Sequence, residues 1–210
     1  MPRKPNPELQ AKITAVKRDQ ILDAAKAVFA EKDFHRATIK DVATRAGVAD
    51  GTVYNYFENK NALILGLMDR FNQSESRETD FAKLEHTNLE TFMREYTRER
   101  FKALNEEGIS LFQAVLPEIL SNEELRKLYR ERIISPTFAA AESMIATIMD
   151  SSDLTHDEVM LNLQLEAAMF VGLIVLRIIG DERLEKNWEK IPDAISSLML
   201  KAFQPKETKS

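Results

Sequence analysis

The stretch IKDVATRAGVADGTVYNYFE, residues 39–58, decides the fold. Within it, Ala43, Gly47 and Val53 are spaced four and six residues apart. A helix-turn-helix needs a small residue where its helices cross, a turn residue that accepts a left-handed backbone, and an apolar anchor beneath the second helix. The spacing therefore predicts two helices joined by a tight turn at Gly47, although an ordinary helix pair in a bundle would fit the spacing as well.

The second helix of this pair has an unusual face opposite Val53 and Phe57. A solvated surface helix more often carries Glu and Lys, and two exposed tyrosines are costly unless they contact a partner. Tyr and Thr hydroxyls bind phosphates and base edges, and a glycine lets the backbone approach closely. The sequence therefore predicts a DNA-binding face that contains Gly51, Thr52, Tyr54, Asn55 and Tyr56.

Two charged residues flank this face. Lys60 lies in the first turn of the following helix, where a cation opposes the helix dipole, so we expect an external anion such as phosphate there. Asp50 begins the second helix of the pair. It either caps that helix or accepts a hydrogen bond from a cytosine amino group.

Residues 18–64 resemble the DNA-binding domain of the TetR family of bacterial transcriptional regulators. The resemblance rests on ILDAA at 21–25 with Phe29, TIKDVA at 38–43, AGV at 46–48, GTVYNYF at 51–57, and Lys60. It implies a homodimer that binds a pseudo-palindromic DNA operator and releases it when a small ligand binds. It also implies recognition-helix roles for Gly51, Thr52, Tyr54 and Tyr56, and phosphate contacts for Thr38, Lys40 and Lys60.

One residue departs from the family pattern. Asp33 stands where the family usually has a glycine that closes the first helix. Aspartate tolerates the left-handed region better than most residues, so we expect the turn to form with some strain.

The charge of the chain is unevenly distributed. The 210 residues carry a net charge of -5, which by itself disfavours nucleic acid as a partner. Residues 1–60, however, contain 11 basic and 8 acidic residues, a net charge of +3, whereas the remainder contains 18 and 26, a net charge of -8. Such a distribution fits a protein that approaches DNA through one end only.

Helical periodicity continues along the chain without strand alternation, which predicts an all-α fold: an N-terminal three-helix head with the helix-turn-helix, and a C-terminal helical bundle for ligand binding and dimerisation. We expect a flexible basic arm over 1–16, the DNA-binding domain over 17–64, the ligand-binding and dimerisation domain over 65–205, and a frayed tail over 206–210. Gly108 is expected to close the helix that contains Phe92.

Two C-terminal helices have the pattern of a dimer interface. The helix predicted from Thr155 to Ile179 is apolar around most of its circumference, so it must be buried on more than one side. A glycine inside a helix costs about 1 kcal/mol, and a close helix crossing would explain it. The interface is predicted to include Leu165, Gly172, Leu176, Ile195 and Leu198. Alternatively, these helices fill only the core of their own protomer.

Large and adaptable apolar side chains are spread over several C-terminal helices. Met and aromatic residues can line an elongated cavity for a small apolar effector, although each of them also suits an ordinary core. The predicted ligand-binding residues are Phe92, Tyr96, Phe112, Met144, Met169 and Phe170. Charged candidates beside such a cavity are Arg94, Arg98, Arg100 and Glu118.

Several classes of protein are excluded. The chain has no Cys, and His35, His86 and His156 share no metal-ligand spacing, so neither a metal nor a cofactor is expected. A G-x-S-x-G elbow is absent, and we expect no enzyme. The most apolar stretch, residues 167–176, is too short to span a bilayer, so a soluble cytoplasmic protein without a membrane partner is expected. A ligand-responsive repressor fits best; the alternatives are an activator, a ligand-independent DNA-binding regulator, and a regulator whose head binds protein.

Overall fold

The computed structural model describes residues 6–72, 89–104, 106–148 and 155–202. These residues form helices joined by short turns, with no strand in the described ranges, so the predicted all-α class is confirmed. His86 and the predicted tail lie outside the described residues, and so does the side chain of Met144.

Four helices lie at the amino-terminal end: α1 (Pro7–Lys32), α2 (Ile39–Ala46), α3 (Asp50–Tyr54) and α4 (Lys60–Asn72). The later helices are α5 (Leu89–Ala103), α6 (Glu106–Ser121), α7 (Glu123–Tyr129), α8 (Ser135–Ile148), α9 (His156–Ile179), α10 (Glu182–Lys186) and α11 (Ile191–Ala202). A π-helical turn at Arg130–Ile134 precedes α8, and a short 3₁₀ turn at Trp188–Lys190 precedes α11.

Helix α1 begins much earlier than the sequence suggested. Asn6 is its N-cap and accepts a hydrogen bond from the Glu8 backbone N–H at 3.1 Å, and Pro7 follows in the first turn. Proline suits this position because the backbone N–H it lacks would have no partner inside the helix. The prediction of a flexible arm over residues 1–16 is therefore wrong from residue 7 onward.

The chain divides into two compact units. The first contains the residues up to 70 together with Gln113–Tyr129, and the second contains Phe71–Phe112 and the residues from 130 onward. Residues 113–129, which we expected in the C-terminal domain, thus group with the amino-terminal helices.

The core of the first unit is built on α1 and α4. Ile21, Leu22 and Leu63 are fully buried. Gly66 of α4 allows this packing, because an added Cβ would lie 2.8 Å from Cε1 of Phe57 and 3.0 Å from Cδ2 of Leu22. The aromatic anchor that follows α3 therefore packs directly against the backbone of α4.

The second unit is organised around α5, α9 and α11. Helix α11 packs along α5, and α9 contacts α8 and α11. Thr155 and Glu158 form a capping box at the start of α9, and Gly180 ends it in the left-handed conformation. The predicted limits of this helix are confirmed. Gly108 lies inside α6 rather than after the preceding helix, so its predicted role as a terminator is wrong.

Candidate nucleic-acid interface

The helix-turn-helix has the geometry that its three key residues predicted. Ala43 and Val53 are fully buried, and Gly47 takes the left-handed conformation at φ 64° and ψ 36°. The N–H of Val48 donates to the carbonyl of Ala43 at 3.0 Å across the turn. A side chain at Gly47 would strain this turn, which explains the glycine.

Polar contacts hold α2 against α1. Nε2 of Gln20 donates to the carbonyl of Ala46 at 2.6 Å, and Arg45 forms an ion pair with Glu31 at 2.6 Å. These contacts fix the end of α2 from which α3 departs.

The predicted face of α3 is open to solvent. Tyr54 is 55% exposed, while its neighbour Val53 is fully buried. A Cβ added at Gly51 would meet no atom within 4 Å. Asn55 ends the helix and is exposed, whereas Thr52 and Tyr56 are half-buried. The structure therefore brings all five predicted residues of this face onto one short helix and its final turn.

Asp50 does not cap α3. The N-cap position belongs to Ala49, and the cap makes no side-chain hydrogen bond. Asp50 is the first residue of the helix and is exposed. An acid there interacts favourably with the helix dipole.

The two predicted phosphate contacts at the start of α2 differ in their surroundings. Lys40 is exposed. The Thr38 hydroxyl donates to Oδ2 of Asp41 at 2.8 Å and accepts from the Asp41 N–H at 3.1 Å, which completes a capping box. Hydrogen bonds from Lys32 and Thr38 lower the pKa of Asp41 to about 2. Thr38 therefore stabilises the start of α2, and its hydroxyl proton is already directed at Asp41.

Lys60 has a structural role beside the predicted one. Its Nζ donates to the carbonyls of Phe34 at 2.7 Å, Ala37 at 2.9 Å and His35 at 3.4 Å. It also lies 4.4 Å from the centroid of the Phe34 ring. An ammonium group has three donors, and here they are directed at the loop between α1 and α2. Lys60 therefore holds this loop, and sequence reasoning missed these partners because they lie about 25 residues away. Its contact with phosphate stays a prediction.

Asp33 is strained as expected, although in a different backbone region. It ends α1 with φ 61° and ψ 153°. This combination lies outside the left-handed helical region and in one that is essentially restricted to glycine.

The predicted ligand-binding residues form separate contacts in the second unit. Phe92 stacks on Tyr96 with ring centroids 5.8 Å apart, while Phe112 packs against Phe71 at 5.0 Å. Met169 is half-buried. The guanidinium carbon of Arg100 lies 4.3 Å from the ring centroid of Phe170 and 5.6 Å from that of Tyr96. Tyr96 and Phe170 are therefore brought together around a cation.

Glu166 is a polar residue of this unit that sequence reasoning missed. It lies on the inward face of α9, in line with Leu163, Phe170 and Ile174, and is 8% exposed. Burial raises the pKa of its carboxyl, and the charge of Arg100 acts in the opposite direction. The sequence does contain a signal for this residue, because Glu166 is an acid at a position where the helical repeat of α9 places core residues.

The outer face of α9 is apolar and exposed in the protomer. Leu165 is 53% exposed and Leu176 43%, and Leu198 of α11 is 55% exposed. A Cβ added at Gly172 would meet nothing within 4 Å, so no crossing inside the protomer requires this glycine. Ile195 is only 6% exposed and packs within its own protomer. Its predicted place on an interface is therefore corrected.

Helix α9 is also the one helix among the described residues that is long and apolar enough to cross a membrane. This helix is longer than the apolar stretch at residues 167–176, because it continues through Glu166 and Arg177 on either side. Only 22% of its most apolar 18-residue window is buried. A helix that packs against a second chain has the same length and composition.

Within the described part of the chain, no group of three or more His, Asp or Glu residues could hold a metal ion.

Residues 21–67 match the family model described as "Bacterial regulatory proteins, tetR family". This domain is a TetR-family domain. The fatty acid metabolism regulator protein of Bacillus subtilis is 48% identical to the chain over 48 residues, which are 23% of this chain and 25% of that protein. The chain thus aligns with about a quarter of the length of that relative. The relatives found are regulators, which agrees with the expectation that the chain is not an enzyme.

Solved structures extend the similarity of fold to most of the chain. FadR from Bacillus subtilis, in complex with stearoyl-CoA, has a TM-score of 0.71 and 24% identity and covers 88% of this chain and 98% of its own. FadR from Bacillus halodurans, a fatty acid degradation regulator, has a TM-score of 0.71 and 24% identity, and the match covers 94% of this chain and 97% of that one. At this identity the comparison shows the fold.

Proposed function

We propose that the protein is a sequence-specific DNA-binding transcriptional regulator, a repressor that binds a pseudo-palindromic operator as a homodimer in the cytoplasm. The observation that carries this proposal is the exposed face of α3 within a TetR-family domain. Tyr54 is solvent-exposed beside a buried Val53, and Gly51 leaves room for close approach. An exposed tyrosine on a short, rigidly anchored helix is suited to contact base edges and phosphates.

The roles within this surface differ. Gly51, Thr52, Tyr54, Asn55 and Tyr56 face the bases or the adjacent backbone of the operator. Lys40 is exposed and contacts phosphate. Thr38 fixes the start of α2 and reaches phosphate only by sharing the hydroxyl that binds Asp41. Lys60 acts indirectly, because it fixes the loop that precedes Thr38.

A second copy of the chain covers the exposed apolar face of α9 and α11. Leu165, Leu176 and Leu198 would each leave a large apolar side chain in water in an isolated protomer. Gly172 lies on the same exposed side, where a close helix crossing between protomers accounts for a residue that weakens the helix. Two helices from each protomer make a four-helix interface.

The effector is a long-chain acyl compound. FadR of Bacillus subtilis was solved with stearoyl-CoA, and the second unit of this chain offers the stacked pair Phe92 and Tyr96 and the edge-to-face pair Phe101 and Phe170. Two recognition helices have to match half-sites about 34 Å apart. An effector releases the operator only if it binds the DNA-incompetent form of the dimer more tightly.

Gel-shift titration against the region upstream of the protein's own gene tests this function. Tyr54→Ala is expected to weaken operator binding by about 1–3 kcal/mol, and Lys40→Ala to weaken it and reduce the slope of affinity against salt by about one. Lys186→Ala, an exposed lysine of α10, is the matched control. Unchanged affinity in both test variants would refute the assignment of this face. Transcription from the same promoter in vitro distinguishes a repressor from an activator.

A further inference from the structure

Glu166 is a buried acid whose carboxyl has no hydrogen-bond partner in the described part of the chain. Its side chain lies on the inward face of α9 and is 8% exposed. Within the described residues its carboxyl forms no hydrogen bond and no ion pair, although the charge of Arg100 acts on it. An unpaired buried polar group is costly, and natural structures contain few of them, so each one requires an explanation.

The neighbours of Glu166 give it a defined setting. Arg100 lies over the ring of Phe170, one helical turn further along α9, and its Nη1 donates to the hydroxyl of Tyr96 at 3.2 Å. Phe170 meets Phe101 edge to face at 5.8 Å, and Phe101 lies 5.2 Å from Trp188. A cation and an acid thus share an otherwise aromatic part of the second unit.

We propose that Arg100 and Glu166 together bind the acyl carbonyl end of an aliphatic effector, with both side chains donating to the carbonyl oxygen. This inference rests on the acyl effector of the proposed function and assigns its recognition to two residues. Burial favours the protonated carboxyl, which donates through its O–H, and Arg100 donates through a guanidinium N–H. The surrounding rings accept the chain itself.

The charges of the cluster agree with this occupant. The guanidinium of Arg100 attracts the carboxylate of a free fatty acid. A thioester carbonyl offers the same acceptor without the charge. Testing stearate and stearoyl-CoA separately therefore distinguishes a free fatty acid from an acyl thioester as the ligand. Coenzyme A alone is the control for the head group.

Trp188 provides the readout. It is the single tryptophan of the chain, and its ring lies beside Phe101 in this cluster. Its emission is recorded while full-length protein is titrated with each ligand below its micelle concentration. At least one of the two acyl ligands is expected to change the emission saturably, and coenzyme A alone is not.

Variants at position 166 test whether this side chain donates a hydrogen bond to the ligand or accepts one from it. Glu166→Gln keeps an N–H donor and is expected to bind within a few-fold of the original chain, whereas Glu166→Leu removes the donor and is expected to bind about tenfold more weakly or worse. Arg100→Met is expected to lose a similar factor. Arg132→Met is the control, since Arg132 is an exposed arginine of the turn that precedes α8 in the same unit.

Each outcome has a distinct meaning. If Glu166→Gln binds as weakly as Glu166→Leu, the carboxylate is an acceptor and the acyl carbonyl is the wrong occupant. If all four variants bind the acyl ligand equally, the site lies elsewhere and this inference fails while the acyl effector stands. If neither stearate nor stearoyl-CoA binds the original chain, the effector and this inference fail together, while the gel shift decides DNA binding separately.

Discussion

The two units of the molecule differ in how completely their buried and interface-forming polar groups are paired. In the first unit, Lys60 has three carbonyl partners, Thr38 pairs with Asp41, and Gln20 pairs with Ala46. The second unit contains Glu166, a buried acid that forms no hydrogen bond or ion pair among the described residues, and an exposed apolar face on α9 and α11. In the proposed function, the first unit supplies the DNA surface, whereas the second unit takes up an effector and a second copy of the chain.

The strongest test of this contrast is at the apolar face. Leu165→Glu combined with Leu176→Glu places two charges where the proposed dimer buries leucines, and we expect dissociation to be favoured by about 3–5 kcal/mol or more. Light scattering should then report the 24.0 kDa protomer instead of twice that mass. Leu120→Glu, at an exposed leucine of α6, is the control and should leave the dimer intact. A dimeric double variant would show that another surface joins the protomers.

A variant of Lys60 tests how much its carbonyl contacts stabilise the first unit. Lys60→Ala leaves carbonyls of the loop between α1 and α2 without their donor, so we expect a loss of about 1–3 kcal/mol in stability. Thermal melts measure this loss. Because Lys60 points at the loop, the slope of DNA affinity against salt should stay unchanged. A slope reduced by about one, with an unchanged melting temperature, would show instead that Lys60 contacts phosphate.

Asp33 is the strained point of the first unit, and relieving it should stabilise the protein. Asp33→Gly is expected to add about 1 kcal/mol, since glycine adopts φ 61° and ψ 153° without penalty but loses more chain entropy on folding. Chemical denaturation measures the gain. Asp33→Ala, which cannot relax in the same way, should not stabilise the protein.

Glu166 should give the second unit a pH dependence of stability. Burial raises the pKa of this carboxyl above its ordinary value of 4.5. The folded state then binds the proton more tightly than the unfolded chain, so stability falls as the pH rises from 4.5 through the raised pKa. Glu166→Gln removes this dependence and should melt higher than the original chain at neutral pH. A lower melting temperature would mean that Glu166 is a structural partner of Arg100.

Asp41 should show the opposite dependence, with the smallest effect because it is solvent-exposed. Its pKa is lowered from 3.8 to about 2. The stabilisation it provides is complete above pH 3.8 and is lost as the pH falls toward 2. Asp41→Asn should melt slightly lower at neutral pH, and the difference should close within this window. A difference that persists at pH 2 would have another cause.

The features that sequence reasoning predicted are those set by local chemistry. Ala43, Gly47 and Val53 lie within ten residues of one another, and the capping box of Thr155 and Glu158 spans four. The start of α1 was missed although its signal is local, since a proline that follows Asn, as Pro7 follows Asn6, is an ordinary helix start.

The features that were missed depend on tertiary contacts. Lys60 meets carbonyls about 25 residues away, so its neighbours in sequence do not reveal them. Helical periodicity placed Leu198 and Ile195 on one interface, but α11 turns Ile195 into the core of its own protomer. Glu166 lies at a position of α9 where the helical repeat places apolar residues, although its own side chain is polar. Only the folded structure shows that it is buried.

The ion pairs of the TetR-family domain bear on how the protein searches a chromosome. Lys32 is paired with Asp41, Arg45 with Glu31, and Arg70 with Asp23. Together with Lys60, these cations interact with groups of the protein itself, which weakens their attraction to arbitrary phosphates. Binding to random DNA depends almost entirely on such attraction. We therefore expect short residence at wrong sites, so that a small number of copies suffices to keep one operator occupied.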